Sequence, residues 1–253
     1  LPLPKKVFGH PWLLQDGGKM SKSKGNVLYA DDLVSVYGVD AVRYYVLDNM
    51  PFDNDGLISW QLITDKANSE LANVYGNLVK RTIAMSEKYF GGVVERSGAA
   101  EPLDDELKAM ATSTYAKVSA FMDEFRIADA IDTVFSLLRR ANKYVDETAP
   151  WVLAKDEAKL PRLKEVLYNL TETIAMSASM LSPFMPETSA KILSQINCEE
   201  RKFSDLDKFG LYPDGNKVSE NAEVVFARLD PAEVEKKAEE IKNKYIVKLC
   251  QKL

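Results

Sequence analysis

At 253 residues, 46% hydrophobic and 28% charged, the chain can bury a sizeable core and has the composition of an ordinary soluble globular protein. No apolar run reaches bilayer length, and the opening LPLPKKVFGH is neither a signal nor a transit peptide; without an initiator Met it reads as an internal cut. Cys198, Cys250 and the lone His10 make no zinc or redox set, and so few cysteines fit a reducing, cytosolic home. The net charge of −5 argues against a general polyanion binder. Residues 1–30 nevertheless carry a local +4, which confines any such contact to chosen places.

Residues 7–15, VFGHPWLLQ, read as an extended segment, with His10 a satisfied histidine on a strand beside Pro11 and Trp12. Asp16-Gly17-Gly18 signals a turn, and the lysine-serine run KMSKSKGN follows it. Asp31 or Asp32 starts a short helix ending at Gly38, and Asp40 caps a second through Val42, Tyr45 and Val46. Residues 50–56 are loop, and 57–60 are a short strand or the lead into a helix.

From Gln61 to Phe90 the pattern is helical, with Leu71, Val74, Tyr75, Leu78 and Thr82 sharing a face. Asn73, Asn77 and Arg81 form a polar row roughly 120° from the Leu71/Leu78 stripe. By position alone that row is a solvated face. Gly76 predicts a close approach between helices. After a glycine-rich break at 91–102, Asp104 opens a helix to about Met122, and Ala128–Thr148 is the next. Ala149-Pro150-Trp151 ends it, where a tryptophan is by position alone a buried anchor. Leu163, Val166, Leu167, Leu170, Ile174 and Ser177 mark a fourth helix closed by Ser182-Pro183, and Pro186–Ile196 is a fifth. Residues 200–229 are mixed. Asp230-Pro231-Ala232-Glu233 then sets an N-cap, a Pro at N1 and an acid at N3 for a tail helix. The fold class is therefore mainly α: an antiparallel bundle of four or five helices, preceded by a small α/β junction.

A lysine-rich loop is ordinarily a solvated turn, and this one is no Walker loop, since GxxxxGK[ST] is absent. Yet KMSKS with its Lys-Gly-Asn continuation, after a strand and glycine turn and before a short helix, resembles the second active-site motif of class I aminoacyl-tRNA synthetases. That resemblance implies ATP, with Mg2+ in a full-length enzyme, held by Lys19, Met20, Ser21, Lys22 and Ser23. Lys22 is then the principal catalytic contact to the phosphates and Lys19 supports it. Ser21 and Ser23 supply hydrogen bonds and hold the loop's shape, while Met20 packs. The composition suits the chemistry, because negative charge grows on departing pyrophosphate and cations placed there favour the transition state over the ground state.

NSELANVYGNLVKR (68–81) and NKYVDETAPWVLAK (142–155) resemble the anticodon-binding helical domain of methionyl-tRNA synthetases. The resemblance implies that Asn77 and Arg81 bond to base edges of an unstacked CAU anticodon while Trp151 stacks on its first base. Asn73 is left between that task and facing the neighbouring helix. The implied partners are tRNA(Met), and ATP and methionine through an upstream nucleotide-binding domain. The family's HIGH motif, methionine pocket and zinc insertion belong to that domain and are not found here. Residues 1–60 then close a catalytic core, 61–229 bind the anticodon, and 230–253 form a tail helix that leads toward a further RNA-binding appendage. Alone, the chain should not charge tRNA. The rival readings are a class I synthetase for leucine, isoleucine, valine or cysteine, and a non-catalytic helical tRNA-binding module.

Overall fold

A computed structural model describes residues 2–15, 18–21, 26–49, 54–220 and 222–250, with side chains through Tyr245. The extended stretch near the start narrows to β1 (Leu13–Gln15). β1 pairs antiparallel with β2 (Gly18–Lys19) and parallel with β3 (Gly56–Ile58), giving the order β2-β1-β3. A parallel pair needs a crossover, and α1 (Ala30–Tyr37) with α2 (Val39–Asp48) supplies it.

Both expected caps are corrected here. Tyr29 precedes α1, and Asp31 and Asp32 lie inside its first turn, where negative charge suits the helix dipole. Gly38, at φ 80°, precedes α2, so the turn is made by a residue without a Cβ penalty. Asp40 instead accepts the Thr188 N–H at 2.6 Å, capping α9 (Pro186–Gln195) across the molecule. Residues 57–60 serve both of their expected roles: β3 ends at Ile58, and the Ser59 hydroxyl caps α3 (Trp60–Lys66) by accepting from Leu62 N–H at 3.1 Å.

The long helix from about residue 61 to Phe90 exists without a break, but its middle is wound differently. α3 passes into a π-helical stretch, Ala67–Gly76, and then into α4 (Asn77–Phe90), which Gly91 ends in the left-handed region. The close approach at Gly76 is not to a helix. A Cβ there would lie 3.6 Å from the Phe226 backbone, part of a strap that runs back along the π segment. Leu229 fixes that strap by exchanging two hydrogen bonds with the Asn68 side chain, at 2.8 and 2.9 Å. The strap delivers α10 (Pro231–Cys250) onto α3 and α1, where Tyr245 stacks on Tyr29.

β4 (Val93–Val94) and β5 (Asn216–Lys217) form a small antiparallel pair. α5 spans Pro102–Asp123, with Asp104 at N3 rather than at its cap; its carboxylate accepts the Glu101 N–H at 3.0 Å. α6 (Ile127–Thr148), the single-turn α7 (Pro150–Leu153) and α8 (Leu160–Leu181) complete the bundle. α8 is its axle: every residue from Glu165 to Leu181 is buried. Several of its polar residues tolerate this because they find partners, some within the helix and some beyond it. Thr171, Thr173 and Ser179 donate to carbonyls four residues back. Glu172 takes the Arg201 fork and the N–H groups of Gly210, Leu211 and Tyr212.

Two apolar clusters share one helix. Ala41 and Tyr44 of α2 join the bundle core, with the Tyr44 ring 4.9 Å from Phe135. Val42 and Tyr45 face a smaller cluster with Leu33, Ile58 and Ile63 beneath the sheet. Arg43 donates to the carbonyls of Pro183 and Phe184, both at 2.9 Å. α2 therefore bolts the junction to the turn between α8 and α9.

Candidate functional site

The β1–β2 hairpin carries the first lysine of the lysine-serine run. Lys19 is exposed on β2 opposite Leu14, and its Nζ lies 4.4 Å from the centroid of the Trp12 ring. Met20 packs against the small core, as a packing role requires. Ser21 donates its N–H to Asn26 Oδ1 at 2.7 Å, and Asn26 Nδ2 lies 3.5 Å from the Lys19 carbonyl. Asn26 therefore clasps both ends of the loop, a function the sequence reading did not assign. The available signal was an Asn at a loop end, where its amide readily satisfies nearby backbone. Lys22 and Ser23 lie outside the described residues. His10 is exposed, precedes β1, and has Nδ1 2.9 Å from the Pro11 carbonyl, so it does not sit on a strand as expected.

The second constellation is built on α4, α6 and α7. Asn73 and Asn77 are exposed and Arg81 is half-buried, so the polar row survives the π-helical winding and Asn73 is not taken up by a neighbouring helix. Asn142 of α6 locks the row's backbone in place by donating to the Val74 carbonyl at 3.0 Å.

Trp151 is no buried anchor. α6 stops because Ala149 takes φ 42° and the buried Pro150 starts α7, which leaves Trp151 43% exposed beside an exposed Val152. Arg81 brings its guanidinium carbon to 5.9 Å from the Trp151 ring centroid and a nitrogen to 3.4 Å from Asp146 Oδ1. Residues 70 positions apart in the chain thus present one aromatic face, one guanidinium fork and a row of amides on a single surface. Such a set can stack an unpaired ring and hydrogen-bond its edge.

Beneath α6 the support is ionic and buried. Tyr144 donates to Asp104 at 2.6 Å, and Arg162 reaches both Asp104 oxygens at 2.6 and 2.7 Å. Burial pushes the Asp104 carboxyl up, but the bonds from Arg162, Tyr144 and the Glu101 N–H outweigh it and hold it below the usual range. The network pins α5, α6 and α8 together below the helix end that carries Trp151.

Two family descriptions match the chain. One, tRNA synthetases class I (M), matches residues 1–83; the other, the anticodon binding domain of methionyl tRNA ligase, matches residues 94–245. The methionine–tRNA ligase of Clostridium perfringens is 51% identical over 233 residues, which are 92% of this chain and 36% of that protein. That of Clostridium acetobutylicum is 50% identical over 241 residues, covering 95% of this chain and 37% of the relative. Among solved structures, Mycobacterium tuberculosis methionyl-tRNA synthetase in complex with methionyl-adenylate superposes with a TM-score of 0.84 at 33% identity, over 90% of this chain and 45% of that one. The chain thus spans little more than a third of the length of these curated relatives.

Proposed function

The chain belongs to the methionyl-tRNA ligase family, and from that premise we propose that it serves a longer enzyme which attaches methionine to tRNA(Met) at the expense of ATP. In this reading the hairpin closes on ATP and the bundle inspects the CAU anticodon. A methionine carboxylate oxygen attacks the α-phosphorus, a mixed anhydride forms, and the bond to the β-phosphate oxygen breaks as pyrophosphate departs; Mg2+ brought in with ATP would neutralise part of the phosphate charge. Lys22, supported by Lys19, meets the charge growing on that leaving group, while Ser21 and Ser23 donate to its oxygens. Asn77 and Arg81 bond to anticodon base edges, and Trp151 stacks on the first base. Residues 1–60 close the catalytic core, 61–229 read the tRNA and 230–253 form the returning helix. No helix among the described residues is long and apolar enough to cross a membrane, and we place the reaction in the cytosol.

The observation that carries the reading is the pairing of Arg81 with an exposed Trp151, a guanidinium fork and an aromatic face together on one surface. Two measurements test it. In the full-length enzyme, Lys22→Ala lowers ATP–pyrophosphate exchange roughly a hundredfold, about 3 kcal/mol of barrier; unchanged exchange would leave only a helical RNA-binding module. In filter binding, the enzyme retains a tRNA(Met) anticodon stem-loop over those of tRNA(Ile) and tRNA(Leu), and equal retention of all three removes the methionine assignment.

A further inference from the structure

The geometry points to Trp12 as a positioning residue for Lys19, an aromatic platform that aims this ammonium at the phosphates of ATP. The inference rests on the reading of the hairpin as an ATP-closing element and adds a residue to it.

Three features of Trp12 fit that task. The side chain is 61% exposed, so its indole is not mounted there to fill a core. Its backbone is pinned on both sides by the β3 segment: its N–H donates to Asp55 Oδ1 at 2.9 Å, and its carbonyl accepts the Gly56 N–H at 2.9 Å. The backbone that carries the ring is therefore fixed. Trp12 also lies two residues before Leu14, the partner of Lys19 across β1 and β2, so it occupies the same face as a diagonal neighbour. At that spacing a long cationic chain reaches an aromatic ring, and the 4.4 Å separation falls inside the roughly 6 Å range of a cation–π contact.

The contact has a useful asymmetry. A ring face takes one side of an ammonium and leaves N–H donors on the other side for an incoming anion, whereas a carboxylate partner would compete for the same charge. Among the described residues no carboxylate lies within ion-pair reach of Lys19. Asn26 steadies the lysine's backbone and Trp12 steadies its tip, so a flexible four-carbon stem is ordered before substrate arrives.

The test is a double-mutant cycle in the full-length enzyme, read as kcat/KM for ATP in pyrophosphate exchange. Trp12→Leu lowers this value about threefold to fivefold when Lys19 is present, and Trp12→Phe recovers part of the loss because a smaller ring still binds a cation. In a Lys19→Ala background Trp12→Leu changes it by less than about 1.5-fold. An equal loss in both backgrounds, or none in either, overturns the positioning role while leaving the hairpin reading intact. If Lys19→Ala alone leaves exchange unchanged, the reading of Lys19 falls and this inference falls with it.

Discussion

The helical bundle and the strand junction treat charge in opposite ways. In the bundle Glu172 and Asp104 are wholly buried, and each is completed by an arginine fork and by backbone or hydroxyl donors. In the junction Lys19 stands in the open against a ring, over a small cluster centred on Leu33, Val42, Tyr45, Ile58 and Ile63. Arg81 also meets a ring, on the bundle's surface, half-exposed between Trp151 and an Asp146 carboxylate oxygen 3.4 Å away. Charge that is fully answered inside the protein holds helices in register. Charge left partly unanswered is what a ligand can use.

The largest effect should come from breaking a completed network. Asp104→Ala takes both short carboxylate bonds from the buried Arg162, leaving it the Ala99 carbonyl and an exposed Glu101 carboxylate, and should cost about 3 kcal/mol in urea denaturation, whereas replacing both residues by apolar ones costs far less. The same pair sharpens the contrast through pH. A carboxyl held below its unfolded value contributes its full stability above a pH of about 4 and loses it as the pH falls through the lower folded value. Thermal unfolding followed from pH 5 to pH 2 should show that acid-side slope, and Asp104→Asn should flatten it.

Next comes the exposed site. Trp151→Ala should weaken binding of a tRNA(Met) stem-loop by about 1–3 kcal/mol, with circular dichroism and melting unchanged. A variant that unfolds instead would place Trp151 with the buried residues and dissolve the distinction. Gly76→Ala tests the strap: a Cβ would meet the Leu71 carbonyl at 3.2 Å and the Phe226 backbone at 3.6 Å. The gain in helix propensity should be outweighed, for a net loss of about 1 kcal/mol by denaturation. An effect of similar size, on rate and not on stability, belongs to Asn26→Ala, which removes the loop's clasp. It should lower pyrophosphate exchange by roughly 1 kcal/mol of barrier while the melting temperature holds, since nothing in the bundle depends on it.

Much of the architecture was readable from local pattern. The apolar spacing that marks α4, α6 and α8, and the Asp-Pro start of α10, depend on neighbours within a turn or two. What escaped depends on partners far along the chain. Asp40 looks like a local cap, yet its acceptor serves Thr188, 148 positions away. Glu172 drew no notice, because nothing nearby in sequence announces Arg201 or the loop at Gly210–Tyr212. At the candidate site the residue types came from a family resemblance, while their adjacency did not follow from spacing. Arg81 meets Trp151 only because α4 and α6 pack side by side and Ala149 turns the chain outward. Trp12 and Asn26 were overlooked because a motif draws the eye to its lysines and serines rather than to what braces them.

The double allegiance of α2 bears on how the molecule can be dissected. A cut after Trp60, where the sequence reading parts the domains, would take away Tyr44 and uncover the face of Phe135 that it packs on. It would also strip α9 of the carboxylate at its first turn and free two carbonyls that Arg43 now occupies. A soluble excised bundle should therefore begin upstream of Gly38, carrying a piece of the strand junction as its own keystone.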